Sequence, residues 1–431
     1  MAGSLRRVLS RVLTARGLRV FMWAAVAVWL AVQLIVIAGV VDIPQISDAR
    51  VYQRLAEDCA DRGVWYPTRA HIENILGHTD YPPYLCYPGL INLMALVIRL
   101  TGTYKTMFWV NMAFNCLVAA GIWRVGRRLA GVSAARLCVA AYCLMPYASL
   151  MVGETMSEFP CMGLVMLSLM LTRRGAGWLA AAAVVMMLAQ YVRTVALFFA
   201  LGAVVYMLTE GYGWKRVCVY VVSFALAWAA LGAVNLRLSG HASFTSTTLG
   251  VNMRDGCVTP HVADMAANDS MIIAECTGLD VFQIDSIQRR WTLAWIARNP
   301  GRFALDAGPK LAAQLGSDSH MALGRGGYMP LDEVKPVQKG LIVFWLWYPK
   351  VYNAVLLAAM AAGIWIRRRR LAGSDGAVLL PFVCGLALAV LTKAEVRYNL
   401  PYTPCMIYFA SLAALALLRR LRPKPQPETT D

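Results

Sequence analysis

Ile46-Ser47-Asp48-Ala49-Arg50-Val51-Tyr52 follows the first long apolar run of the chain, and Asp48 opens the polar stretch there. A carboxylate placed where a chain leaves a membrane has the chemistry of a general base toward a hydroxyl. It also suits the first turn of an interfacial helix running through Leu55, capped by Ser47 or Asp48 and favoured by the helix dipole. The two roles are compatible. Far along the chain, Lys393-Ala394-Glu395-Val396-Arg397-Tyr398-Asn399-Leu400-Pro401 sets two cations, a carboxylate and a phenol between the last two apolar runs. A guanidinium binds phosphate through two parallel hydrogen bonds, and a cation stabilises the charge on a departing phosphate. An ion pair among Lys393, Glu395 and Arg397, or snorkelling toward head groups, accounts for the same residues without a ligand. Arg193, in Gln190-Tyr191-Val192-Arg193-Thr194, sits between two apolar runs, where a charge faces a cavity, a partner or an interfacial turn. Glu154 and Glu158 share one face if their segment is helical, and could bind an acceptor, orient a base or hold a cation.

Other chemistries lack their residues. The five histidines (His71, His78, His241, His261 and His320) fall in polar loops without metal-ligand spacing and read as surface residues. No CxxC pair, P-loop, dinucleotide fingerprint, GxSxG or HExxH occurs. Neither a metal nor a cofactor is expected; a divalent cation has no support in the spacing.

These candidates must be positioned by membrane helices. Of 431 residues, 59% are hydrophobic and 15% charged, too apolar for a soluble domain and suited to a polytopic membrane protein. The formal charge of +17 resembles that of a nucleic-acid binder, but the basic residues fall in short clusters between apolar blocks. These are Arg6 to Arg19, Arg124/Arg127/Arg128, Arg173/Arg174, Lys215/Arg216, Arg367 to Arg370, and Arg419/Arg420/Arg422. Such spacing follows the positive-inside rule and reports topology, so nucleic acid is not an expected partner.

Ten spans are predicted, at 20–41, 106–123, 133–152, 155–172, 176–192, 194–210, 214–238, 350–366, 376–392 and 399–418. With the N-terminus inside, ten crossings put every cluster on the cytoplasmic face and end the chain there. The first span reads as an uncleaved signal anchor. Pro88–Leu100 is too short to cross; after the rigid turn Tyr81-Pro82-Pro83-Tyr84 it is expected as a horizontal or shallow re-entrant helix.

The organisation expected is an N-terminal membrane module (1–238) whose first outer loop (42–105) carries Asp48. A small outer insertion (239–349) and the last spans (350–420) follow, with a disordered Pro-rich tail (421–431). The insertion contains a helical stretch, Ile284–Arg298, stopped by Asn299-Pro300-Gly301, and Trp345, Trp347 and Tyr348 suit an interfacial aromatic belt. Seven of the eleven cysteines lie in or near apolar spans; Cys59 with Cys86, and Cys257 with Cys276, lie in outer loops where an oxidising compartment permits disulfides.

Taken in order, these features resemble the GT-C membrane glycosyltransferases, especially bacterial relatives of the protein O-mannosyltransferases and of the aminoarabinose transferase that modifies lipid A. The resemblance runs over nearly the whole chain. It rests on Asp48 and Tyr52 after the first span, Tyr81-Pro82-Pro83 with the following surface helix, Arg193 near the fifth span, and Arg397-Tyr398 with Pro401. Where many members pair two acids in the first loop, Ala49 follows Asp48, and no histidine precedes Pro82-Pro83. Both departures weigh against a protein mannosyltransferase more than against the fold.

The resemblance implies a ten-span all-α bundle in a bacterial inner membrane, working on the periplasmic face without nucleotide or soluble cofactor. Its donor would be a polyprenyl-phosphate sugar and its acceptor a hydroxyl on a glycan, lipid or protein. Asp48 would be the base, and Arg397, Lys393, Tyr398 or Arg193 would hold the leaving phosphate. Tyr52, Tyr81, Glu154, Glu158 and Glu395 would be substrate-binding candidates. Two alternatives remain: an O-antigen-type polymerase or ligase using Arg289, Arg290, His261 and His320 of the late loop, and a membrane transporter, which needs ionisable groups or broken helices near the bilayer midplane.

Overall fold

The computed structural model describes residues 14–42, 44–45, 47–74, 81–262, 265–317 and 336–420. The basic residues before Thr14, His78, His320, Gly324 to Gly327 and the tail from Leu421 lie outside the described residues. Among the described residues the structure is all-helical. Its principal helices are α1 (Ala15–Val40), α2 (Ser47–Asp61), α3 (Pro88–Thr101), α4 (Thr106–Ala130), α5 (Val132–Leu144), α6 (Glu158–Leu171), α7 (Ala176–Val192) and α8 (Ala196–Thr209). They continue with α9 (Trp214–Ser239), α10 (Leu249–Cys257), α11 (Met265–Cys276), α12 (Val281–Arg298), α13 (Pro300–Leu315), α14 (Pro336–Arg367), α15 (Ser374–Leu391) and α16 (Thr403–Arg420).

Among the described residues, six segments are long and apolar enough to cross a membrane: α1, α4, α9, Trp347–Arg370 at the end of α14, α15 and Val396–Arg420, which includes α16. The predicted span 133–152 is broken, because α5 and Pro146–Gly153 meet at 65°. Proline pushes the residue before it out of the helical region, and Met145 is extended (φ −69°, ψ 125°). Neighbouring side chains satisfy carbonyls of the broken segment, as an apolar medium requires. Ala148 O accepts from Trp29 Nε1 (3.0 Å) on α1 and from Asn115 on α4. Glu154 O accepts from Asn111 Nδ2 (2.7 Å).

The predicted spans 155–172, 176–192 and 194–210 form helices of only 14, 17 and 14 residues, α6 to α8. A 14-residue helix rises about 21 Å against a hydrocarbon core of about 30 Å. Their N- or C-terminal ends give way to the polar residues Glu154–Ser157 and Arg193. The α14 helix starts well before the predicted span, at Pro336 rather than residue 350.

Helix α2 buries Ala49, Tyr52, Leu55, Ala56 and Cys59, a spacing that lies on one helical face. That face packs on α3, which starts with Pro88 at its first position and stops at Gly102 in left-handed backbone (φ +75°). The N-terminus of α3 sits on the end of α7, where a Cβ on Gly89 would lie 2.6 Å from Val192 N. Asn92 fastens the junction by bonding Tyr66 O (2.7 Å) and Tyr191 Oη (3.2 Å).

The insertion is more ordered than expected, with α10 to α13 preceding the undescribed stretch. The predicted helix 284–298 is α12, capped by Asp280, whose carboxylate accepts from Phe282 N and Gln283 N (both 2.8 Å). Asp285 Oδ1 accepts from Gly250 N (2.6 Å) and clasps α12 to α10. All cysteines are free thiols, so neither Cys59 with Cys86 nor Cys257 with Cys276 is bridged. Cys59 and Cys86 are buried in one apolar cluster, and Cys257 instead donates to Leu391 O (3.4 Å).

Candidate active site

Asp48 and Arg397 meet. Ser47 adopts left-handed backbone (φ +51°) at the start of α2, uncommon outside glycine, and Asp48 occupies the first turn. Arg397 stands on the 3₁₀ turn Val396–Tyr402 that leads into α16. Its Nη2 donates to Asp48 Oδ2 at 2.7 Å, across 349 residues of sequence. Its Nε donates to Glu395 Oε2 at 2.6 Å, and Lys393 Nζ reaches the other Glu395 oxygen at 2.6 Å. Acids and cations therefore alternate from Asp48 to Lys393.

Arg193 joins from the α7–α8 junction, where extended backbone (φ −159°, ψ 126°) interrupts the helices. Its guanidinium lies 5.3 Å from the Tyr398 ring centre and 5.5 Å from that of Tyr87. Arg397 lies 5.3 Å from the same Tyr398 ring, so one phenol carries both cations. Such cation–π contacts gain strength away from water. Arg193 Nη1 also donates to Glu158 Oε1 (2.8 Å) and Ser157 Oγ (2.7 Å) at the start of α6.

Tyr52, one turn beyond Asp48, packs its ring edge-on against Tyr87 at 6.2 Å. Burial pushes its hydroxyl well above the ordinary phenol range, so it stays protonated. Glu154 does not share a helical face with Glu158: it lies in extended backbone after a short 3₁₀ turn, whereas Glu158 starts α6. Proline-broken α5 ends before it, which is why the two acids part company.

The insertion supplies residues that the sequence pattern did not single out. Asn252 O accepts from Lys393 N (2.9 Å), and Gly256 lies where a Cβ would strike the Thr392 carbonyl. Asp255, on the same face of α10, is half-buried beside Lys393. Burial raises its carboxyl above the ordinary value, against the pull of Arg254, Lys393 and Thr259. Tyr87 and Ser157 were also missed. Tyr87 carried one signal, an aromatic residue directly before the proline that starts an apolar helix; Ser157 carried one too, its place between two acids.

Tyr81 belongs elsewhere. Its hydroxyl accepts from Arg62 Nη1 (3.1 Å) and donates to Asp58 Oδ2 (3.4 Å), near buried His71. His71 is therefore no surface histidine. Ligating atoms of Asp58, Cys59 and His71 lie within 4.8 Å of one another. His71 Nδ1 accepts from the Thr68 backbone N–H (3.0 Å), which leaves the ring hydrogen on Nε2, 3.5 Å from Asp58 Oδ2. Burial pushes the Cys59 thiol up to about 12.

Burial also lowers the His71 pKa to about 4. A histidine depressed in the fold contributes stability above its unfolded pKa of about 6.5, and that stability is lost as pH falls toward 4. Acidification from pH 7.5 to 5 should cost about 2 kcal/mol through this residue. Unfolding of the purified protein across that range should show the loss, and His71→Gln should flatten it.

Two of the late-loop residues of a ligase reading, Arg289 and His261, find partners within the insertion. Arg289 pairs with Asp285 (2.9 Å), and His261 with Asp306 (2.5 Å) while stacking on Trp295. Neither pairing reaches Asp48.

One cavity borders the cation cluster and a second lies away from it. A cleft of about 20 Å³ between α14, α16 and Pro146 is bordered by Arg397 and Asn399. The second, an apolar cavity of about 90 Å³ among α4, α6, α8, α15 and α16, is lined by Met166, Phe199, Ala203 and Cys405 and reaches Arg128 and Thr172 at the opposite ends of α4 and α6. Phe199 lines it and stacks on Tyr402 (6.0 Å, 9°), one turn beyond Tyr398. Helices α6 and α16 begin at the cation cluster and end at Arg173/Arg174 and Arg419/Arg420, so the site and those clusters occupy opposite ends of the same helices.

No protein-family model and no curated protein matches this chain. Solved structures give likenesses. The chain is similar to ArnT from Cupriavidus metallidurans, solved with undecaprenyl phosphate, at 17% identity and a TM-score of 0.37 over 90% of this chain and 78% of that one. To the apo state of the same ArnT the identity is 16% and the TM-score 0.36, over 90% and 77%. The archaeal oligosaccharyltransferase AglB from Archaeoglobus fulgidus, in complex with an inhibitory peptide and a dolichol-phosphate, is similar at 11% identity and a TM-score of 0.42, over 91% of this chain and 50% of that one.

Proposed function

We propose that the protein is an inverting membrane glycosyltransferase that takes a sugar from a polyprenyl-phosphate donor and gives it to a hydroxyl. The observation that carries this reading is the convergence of Asp48 and Arg397 at 2.7 Å. Asp48 accepts the proton of the acceptor hydroxyl, whose oxygen attacks the anomeric carbon from the face opposite the phosphate. Arg397 and Arg193 stabilise the phosphate as it leaves, with Lys393 at the edge and Tyr398 holding both guanidinium groups in place. A phosphate leaving group needs little acid assistance, so a single base suffices, unlike the carboxylate pairs of glycoside hydrolysis.

Tyr52, Glu158 and Glu395 order the cluster from behind. The site faces the periplasm of a bacterial inner membrane, because the arginine clusters at the other helix ends mark the cytoplasmic side. The acceptor is a glycan, a lipid or a protein. Mass spectrometry of lipid extracts from a deletion strain tests this reading: polyprenyl-linked sugar should accumulate and return to its basal level with the wild-type gene but not with the Asp48→Asn gene. An unchanged lipid-linked pool would refute it.

A further inference from the structure

Arg397 has two duties that compete. It holds Asp48, the base, through Nη2 at 2.7 Å and Glu395 through Nε at 2.6 Å. Its side chain is 15% exposed, whereas that of Asp48 is 34% exposed and more open to an incoming hydroxyl. With Glu395 held on Nε, the Nη2 edge is the one for which Asp48 and an incoming anion compete. Resting on the transferase reading above, the geometry points to an exchange: the donor's phosphate displaces Asp48 from Arg397, and Arg397 couples proton uptake by the base to departure of the leaving group.

The charges balance. Before transfer, Asp48 carries one negative charge and the phosphodiester donor carries one. The acceptor hydroxyl gives its proton to Asp48 and its oxygen forms a bond to the anomeric carbon. The bond from that carbon to the phosphate oxygen breaks, and its electron pair stays on the phosphate. Afterwards Asp48 is neutral and the polyprenyl phosphate carries two negative charges. Arg397 therefore loses its attraction to Asp48 as its attraction to phosphate grows. Interactions that strengthen only toward the transition state are the ones that accelerate a reaction. Glu395, which stays charged throughout, keeps the guanidinium from following the product out.

The exchange is tested by binding undecaprenyl phosphate to the purified full-length protein in nanodiscs. Asp48→Asn, which removes the competing charge, should bind it about threefold or more tighter than wild type. Arg397→Gln should bind about tenfold weaker. The double variant should show no gain over Arg397→Gln, because the Asp48 effect runs through Arg397. If Asp48→Asn does not fold, Asp48→Ala makes the same prediction. Equal or weaker binding by the Asp48 variant, with wild type binding normally, overturns the exchange and leaves the transferase reading standing. A folded wild type that does not bind undecaprenyl phosphate overturns both.

Discussion

Asp48→Asn is expected to lower the rate of sugar transfer by about 10²- to 10⁴-fold, the range that a positioned general base contributes. The amide keeps the shape of the side chain and an oxygen for Arg397, but it does not take a proton at neutral pH. Stability should change by less than about 1 kcal/mol, since the Asp48–Arg397 pair is partly open to solvent and Arg397 retains Glu395. The kinetic signature is a collapse in kcat with no increase in KM. Single-turnover transfer from a labelled lipid-linked donor measures it. Wild-type rates in Asp48→Asn would remove Asp48 from the chemistry and favour a ligase or transporter.

The second large effect concerns stability. Arg193 and Glu158 form an ion pair at 2.8 Å with side chains only 6% and 1% exposed. Removing one partner of such a pair strands the other charge in an apolar setting, at about 3–5 kcal/mol. Glu158→Leu and Arg193→Met should each be destabilised by that amount in detergent unfolding experiments. The double variant should recover most of the loss, because two apolar side chains need no counter-charge. Activity separates structure from function here. The recovered double variant should still transfer sugar poorly, since Arg193 is one of the two guanidinium groups on Tyr398. Full activity in the double variant would reduce Arg193 to a structural residue.

Much of this was legible from charge placement. Arginines at helix ends are readable because one compartment tolerates them, so clusters such as Arg124/Arg127/Arg128 mark the ends of helices like α4 without any tertiary information. Arg397 stood out because the positive-inside rule disfavours a cation between those two apolar runs, and Asp48 because an acid opens the polar stretch after the first. Their contact was not legible, since a pairing over 349 residues comes only from tertiary packing, in which α1 and α16 both lie against α5. Hydropathy read 133–152 as one span because it sums apolar residues without weighing Pro146, whose effect is on backbone direction. It likewise read α6 and α8 as full crossings, because the chain stays apolar on both sides of Arg193. Asp255 and Tyr87 escaped for a different reason. Their importance arises from a glycine at position 256 that admits a backbone carbonyl, and from a cation supplied by another helix.

The brevity of α6 and α8 has a consequence for the depth of the residues at their ends. Helices of about 21 Å leave roughly 9 Å of a normal hydrocarbon layer unmatched. The polar junctions at 154–157 and 193 therefore lie within the depth that the longer helices span, where backbone groups must be satisfied by protein or by a water-lined cavity. Arg193 and Arg397 then reside at a depth that acyl chains fill elsewhere. An isoprenoid-borne phosphate drifting in the plane of the leaflet arrives at that level without leaving the bilayer, whereas a water-soluble sugar nucleotide would have to sink to reach it.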